Sequence, residues 1–114
     1  MVVEQVMTFV MVWIASFVIH ELGHALTLAH LTKTKVGFRY EKGDVIVGEK
    51  WQYKMLSPSK YILVLGNGIV AGLLPFFLLS GSTQIVSVII YIMFPCRSDF
   101  INLWKYGVRG EVYE

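Results

Sequence analysis

Between Val6 and Leu31 the only Asp, Glu, Lys or Arg is Glu21. Few environments accept an apolar run of that length. About 20 apolar residues in a helix cross the roughly 30 Å hydrocarbon core of a bilayer. Two further stretches, Tyr61–Leu79 and Ile85–Cys96, carry no charged residue at all. The second is long enough to span; the third spans only if it continues through Asp99 towards Trp104. Hydrophobic residues make up 55% of the chain and the mean hydropathy is +0.60, too apolar for an ordinary soluble domain. The expected fold is therefore an all-α membrane protein, one domain over residues 1–114 with three transmembrane helices. The first stretch does not read as a signal peptide, because it has no basic leader and carries Glu4 instead.

Orientation follows from the basic residues. All ten lie either between Lys33 and Lys60 or between Arg97 and Arg109, and none lies in the N-terminus or the Ser80–Gln84 loop. The positive-inside rule then sets the long connecting segment and the C-terminus in the cytoplasm and the N-terminus outside. A net charge of +2 gives no argument for nucleic acid as a partner.

The first apolar stretch contains His20-Glu21-Leu22-Gly23-His24, an HExxH motif. Residues four apart share a helix face, so His20 and His24 can turn two imidazoles to one ion, and Glu21 flanks the same face. Two imidazoles suit Zn²⁺, and a carboxylate beside an open coordination position suits hydrolysis. Two His and a Glu in an apolar span are costly without such a task.

The third ligand has two candidates. His30 completes the spacing of a metzincin zinc site, but Thr27 stands where that site needs the Gly that turns the chain back. Asp99 is the other. Counting from Gln5 to His20 and from Gln84 to Asp99 gives the same fifteen-residue offset, about 22 Å of helix axis. Helices one and three run in the same direction, so Asp99 and His20 should meet at one depth. Pro95 should break the third helix just before Asp99 and aim it inward. Asn102 is a candidate hydrogen-bond partner at the site. The single Cys96 excludes an internal disulfide and a multi-cysteine zinc site, and reads as a small apolar helix residue.

Helix two opens with Ser57-Pro58, an N-cap followed by Pro at the first helical position. Gly66, Gly68 and Gly72 give it a small-residue face for a neighbouring helix, and Pro75 should kink it. Asn67 is polar within an apolar segment. It could bond a neighbouring helix, or donate to a substrate carbonyl and its oxyanion as a catalytic residue.

Between helices one and two the pattern changes. Val36, Phe38 and Tyr40 alternate with Gly37 and Arg39; Glu41-Lys42-Gly43-Asp44 reads as a turn; Val45-Ile46-Val47 and Trp51-Gln52-Tyr53 read as further short strands. A small membrane-associated hairpin or sheet is expected, with its aromatic residues at the headgroups. Its edge could pair with an extended peptide.

Taken together, these motifs resemble the site-2 protease family of intramembrane zinc metalloproteases. HELGH at 20–24 is similar to the family's HExxH in a transmembrane helix. Gly68-Ile69-Val70-Ala71-Gly72 is similar to its small-residue motif in the next helix, and Ser98-Asp99 to the place of its aspartate ligand. Phe100 stands where the family usually has Gly. The resemblance covers nearly the whole chain, as a core-only member would. It implies three core helices with a small sheet, and cleavage of transmembrane or juxtamembrane peptides near the cytoplasmic side. The resulting expectation is a zinc endopeptidase whose metal is held by His20, His24 and Asp99. Glu21 and Asn67 would be catalytic, a membrane protein or peptide the substrate and the bilayer the medium. The alternative is a non-catalytic metal-binding or regulatory membrane protein that retains this core.

Overall fold

The computed structural model describes residues 2–41 and 44–109. Its long axis of 50 Å is set by helix α1, Val2–Thr32, whose 31 residues rise about 46 Å. Buried residues on α1 recur at every fourth position: Val12, Ser16, His20, His24, Leu28 and Thr32, with Ala25 beside them. On a helix of 3.6 residues per turn such a row drifts about 40° at each step. It therefore winds obliquely as a ridge, the arrangement by which a second helix packs across the first. Most of the rest of α1 is apolar and exposed, including Phe17, Val18, Leu22 and Leu26, as a lipid-facing surface is.

A two-stranded antiparallel hairpin follows, β1 (Phe38–Glu41) against β2 (Asp44–Val47), with Phe38 opposite Val47 and Tyr40 opposite Val45. Lys42 and Gly43 of the expected turn lie outside the described residues. The hairpin agrees with the sequence pattern up to Val47. Beyond it, Trp51-Gln52-Tyr53 is not a strand but part of a short helix α2, Lys50–Lys54. The cause is Gln52. Its Oε1 accepts the Glu49 N–H at 2.8 Å at the helix start, while its Nε2 donates to Thr34 Oγ1 at 3.0 Å and to the Lys35 carbonyl at 2.8 Å. These three bonds need one buried side chain at the start of a helical turn, and alternation of burial cannot supply that. Gly48 makes the connection possible. It adopts φ +75°, and a Cβ there would lie 2.7 Å from Leu28 Cδ2.

Helix α3, Pro58–Leu73, starts as expected, with the Ser57 hydroxyl accepting the Lys60 N–H. It crosses α1 where both backbones lack side chains: a Cβ on Gly23 would lie 2.8 Å from Gly68 Cα. Of the three glycines expected to form the packing face, Gly68 and Gly72 are buried against neighbours, whereas Gly66 meets nothing within 4 Å and is not part of it. At Pro75 the helix tightens into a 3-10 turn, Leu74–Leu78. The carbonyl that Pro75 deprives of its partner belongs to Ala71, and it accepts the Leu74 N–H instead.

Helices α4 (Gly81–Met93) and α5 (Arg97–Asn102), the latter continued by a π-helical turn over Leu103–Val108, form a pair bent by 51°. The bend lies at Pro95, as the sequence suggested; the Cys96 N–H reaches back to the Tyr91 carbonyl at 3.2 Å to close the wide turn. The core between α1, α3 and α4 contains Val12, Ile69, Phe76, Leu79, Tyr91 and Cys96. Two helices, Val2–Thr32 and Pro58–Leu78, are long and apolar enough to cross a membrane, and the bent pair makes a third if it counts as one span. The described residues thus form a mostly helical, membrane-type fold with one small sheet, and the third candidate span is broken.

Candidate metal centre

The fourfold row on α1 places His20 and His24 one turn apart, both facing inward and almost fully buried. Their Nε2 atoms are 3.0 Å apart. The bend at Pro95 brings Asp99, in the first turn of α5, onto the same point. Its Oδ2 lies 2.7 Å from His20 Nε2 and 2.9 Å from His24 Nε2. Three ligand-type atoms from two distant parts of the chain therefore form a small triangle.

What lies behind each ring decides what that triangle can hold. His24 Nδ1 is 3.0 Å from the Val64 carbonyl. A carbonyl can only accept, so Nδ1 carries a hydrogen, and in the neutral ring Nε2 presents a bare lone pair. His20 Nδ1 is 2.6 Å from the Tyr91 hydroxyl, and that hydroxyl is 3.0 Å from the Ile69 carbonyl. The hydroxyl can donate to Ile69 and accept from Nδ1–H, which leaves His20 Nε2 bare as well. With both rings neutral, two imidazole lone pairs and a carboxylate oxygen converge with no donor between them, an arrangement that suits a cation. Two His and one carboxylate are also a donor set of catalytic zinc sites, which keep the fourth position open. The triangle's edges are a few tenths of an ångström short of the roughly 3.3 Å between tetrahedral ligands at about 2.05 Å from zinc. A slight spreading of the three groups is enough for the residues to fit the ion.

Glycine sets the clearance. The Cβ of any larger residue at Gly68 would collide with the His24 ring, and one at Gly72 would strike the Tyr91 hydroxyl and lie 2.9 Å from His20 Cβ. The G-x-x-x-G spacing of α3 thus makes room for the two ligand rings and for the group behind one of them.

Beside the triangle runs an open cleft of about 830 Å³. Glu21 lines it together with Asn102, Tyr53 and Val45, Ile46 and Val47 of strand β2. The HExxH carboxylate and the hairpin therefore face the same space as the ligand triangle.

The other sequence candidates fall elsewhere. Of the two roles open to Asn67, the structure shows the interhelical bond: it is exposed, is not brought to the triangle, and its Nδ2 donates to Thr27 Oγ1 at 3.0 Å across the α1–α3 contact. His30 is exposed on α1, because six residues beyond His24 on an unbroken helix is about 240° round from it. Thr27, where a turn would need Gly, instead bonds the Gly23 carbonyl within the helix at 2.8 Å.

Two further residues lie at the site, Tyr91, which the sequence did not single out, and Cys96, read there as a small apolar helix residue. For Tyr91 a signal existed, since a phenol in an apolar span must find a partner. Cys96 is wholly buried with Sγ 3.9 Å from His20 Nδ1, and its ligand atom lies within 4.8 Å of those of His20 and Asp99. It approaches His20 from the Nδ1 side, behind the ring, while His24 closes the tighter triangle at Nε2. Compared with protein-family models, with curated proteins and with solved structures, the chain finds no match.

Proposed function

We propose that this chain is an intramembrane zinc endopeptidase that hydrolyses peptide bonds of transmembrane or juxtamembrane substrates, with the chemistry expected of the site-2 protease pattern. One observation carries the reading: the Nε2 atoms of His20 and His24 converge with Asp99 Oδ2 at 2.7–3.0 Å, beside a cleft that Glu21 also lines. His20, His24 and Asp99 hold the ion. Bound there, zinc supplies Lewis acidity, activating water and polarising a carbonyl. Glu21 accepts the proton that water gives up and returns it to the departing amine nitrogen. Asn67 has no part in this scheme. A helical substrate must unwind before its backbone can reach such a site, and its freed N–H and C=O groups need partners in a low-dielectric medium. Strand β2, lining the cleft, belongs to a sheet of only two strands, and an extended peptide can add to such an edge. The distribution of Lys and Arg orients this cleft towards the cytoplasm.

The test is to purify the protein in detergent, wild type beside Glu21→Gln, and measure bound zinc and cleavage of a panel of transmembrane peptides. The reading expects zinc in both and cleavage by the wild type alone. Wild type that binds no zinc, or Glu21→Gln that cleaves normally, overturns it. The nearness of Cys96 to His20 and Asp99 favours a second reading, a closed structural metal site. That reading expects Cys96→Ala to release the metal and the wild type to cleave nothing.

A further inference from the structure

The structure assigns Tyr91 as a positioning residue for the metal centre: its hydroxyl fixes the His20 ring so that Nε2 faces Asp99 and His24. This inference rests on the metal site proposed above and extends it to a residue that touches neither metal nor substrate. Three facts support it. The hydroxyl is 2.6 Å from His20 Nδ1, the shortest contact that ring makes through a nitrogen, and is 3.0 Å from the Ile69 carbonyl. The single hydroxyl hydrogen therefore has an acceptor on α3, and the oxygen lone pair is left for His20 on α1. One atom of α4 thus bridges the two helices that frame the site. Second, Tyr91 is 1% exposed, so water does not replace the bond when it is lost. Third, space is reserved for it: a Cβ on Gly72 would overlap the Tyr91 hydroxyl. The contact is also geometric. The rings of His20 and Tyr91 meet edge to face with centroids 5.6 Å apart, so the phenol limits how far the imidazole can swing.

Partners behind a ligating His are worth about 10- to 100-fold in metal affinity. The experiment measures Co²⁺ and Zn²⁺ affinity of the purified full chain in detergent, and records the visible spectrum of the Co²⁺ form. The variants are Tyr91→Phe, which keeps the ring and removes the hydroxyl, and Ser16→Ala. Ser16 Oγ donates to the Gly72 carbonyl at 2.6 Å, so its loss removes a buried interhelical bond of similar standing without touching His20. The inference expects Tyr91→Phe to bind both ions about 10- to 100-fold more weakly and to alter the Co²⁺ spectrum, with Ser16→Ala close to wild type in both. Affinity within threefold of wild type in Tyr91→Phe overturns it, as does an equal loss in Ser16→Ala, which would make the effect one of general packing. A wild type that binds metal but cleaves no peptide refutes the protease and leaves this assignment standing; a wild type that binds neither ion refutes both.

Discussion

Gly68 and Gly66 stand one turn-fraction apart on the same helix, and replacing each with Ala should have opposite consequences. At Gly66 a Cβ meets nothing within 4 Å. Ala there gains only helix propensity, about 0.5–1 kcal/mol of stability. At Gly68 the new Cβ would be 2.7 Å from His24 Cγ and closer still to Nδ1 and Cε1. Ordinary contact begins near 3.4 Å, so the ring must retreat by about 1 Å. Overpacking of this kind costs about 1–3 kcal/mol, and the propensity gain offsets about 1 of that. Net stability should fall by only about 0–2 kcal/mol. The metal site suffers far more. His24 Nε2 sits 2.9–3.0 Å from its two neighbours in the triangle, and its Nδ1 is 3.0 Å from Val64 O; a 1 Å retreat breaks all three relations. Misplacement by about 1 Å is worth roughly 100-fold at a site that depends on position. The assay is paired: thermal unfolding in detergent, and zinc affinity by competition with a chromogenic chelator. Gly68→Ala should melt close to wild type yet bind zinc about 100-fold more weakly, while Gly66→Ala should melt higher and bind normally. Wild-type zinc affinity in a folded Gly68→Ala chain would refute the claim that His24 is a ligand held by this clearance.

Asp99→Ala should release zinc at concentrations where His30→Ala keeps it, because only Asp99 touches the triangle; metal content after dialysis separates them. Asn67→Ala removes one interhelical bond at an exposed position and should cost about 0.6 kcal/mol with peptide cleavage unchanged; altered cleavage at normal stability would return Asn67 to the reaction. Gln52→Ala removes the side chain that bonds the Glu49 N–H, Thr34 Oγ1 and the Lys35 carbonyl and should destabilise the hairpin by about 1–3 kcal/mol. Hydrogen exchange should then rise over residues 38–48 while bound zinc stays at wild-type level.

Those elements that repeat along the chain were the legible ones. The long apolar runs announce helices because a bilayer core has a fixed thickness, and HExxH announces a ligand pair because helical phase is fixed. Asp99 does reach His20, but through the bend at Pro95 and not by an equal offset along one axis: α4 ends at Met93, and the rise per residue does not carry across the break. What the sequence hides is the choice among chemically similar roles. Asn67 had the right chemistry for an oxyanion and the right depth, but helical phase turns it towards Thr27. Trp51-Gln52-Tyr53 has strand composition, yet Gln52 has more hydrogen bonds to make as the start of a helix, and those partners lie 17 and 18 residues earlier in the chain. Tyr91 and Cys96 become meaningful only once the bend at Pro95 folds α5 back to His20, a tertiary fact that no local pattern records.

The site is assembled from two parts that are held in different ways. Helix α1 supplies His20, Glu21 and His24, and its C-terminal end also anchors the hairpin. Thr32 Oγ1 and Thr34 Oγ1 are 2.6 Å apart, Gln52 ties Thr34 and Lys35 to α2, and Leu28 lies against Gly48. The proposed ligand pair, the proposed general base and the strand edge therefore share one scaffold, and α3 is locked onto it by the Gly23–Gly68 approach. Asp99 arrives on the other part, the bent α4–α5 pair. On α4 only Ser87 and Tyr91 are buried, and most of its remaining residues are exposed apolar side chains. Its polar ties to the scaffold include Gln84 to the Phe76 carbonyl at 3.1 Å and Tyr91 to His20 and Ile69. A scaffold fixed by backbone contact and a third ligand fixed by few side chains predict where the site yields first. Changes on α4 should loosen Asp99 and the metal while the strand edge keeps its place; changes around Gln52 should do the reverse. On the proposed reading the third ligand and the peptide-docking edge sit on different parts, so metal retention and docking can be separated by mutation on α4 or around Gln52.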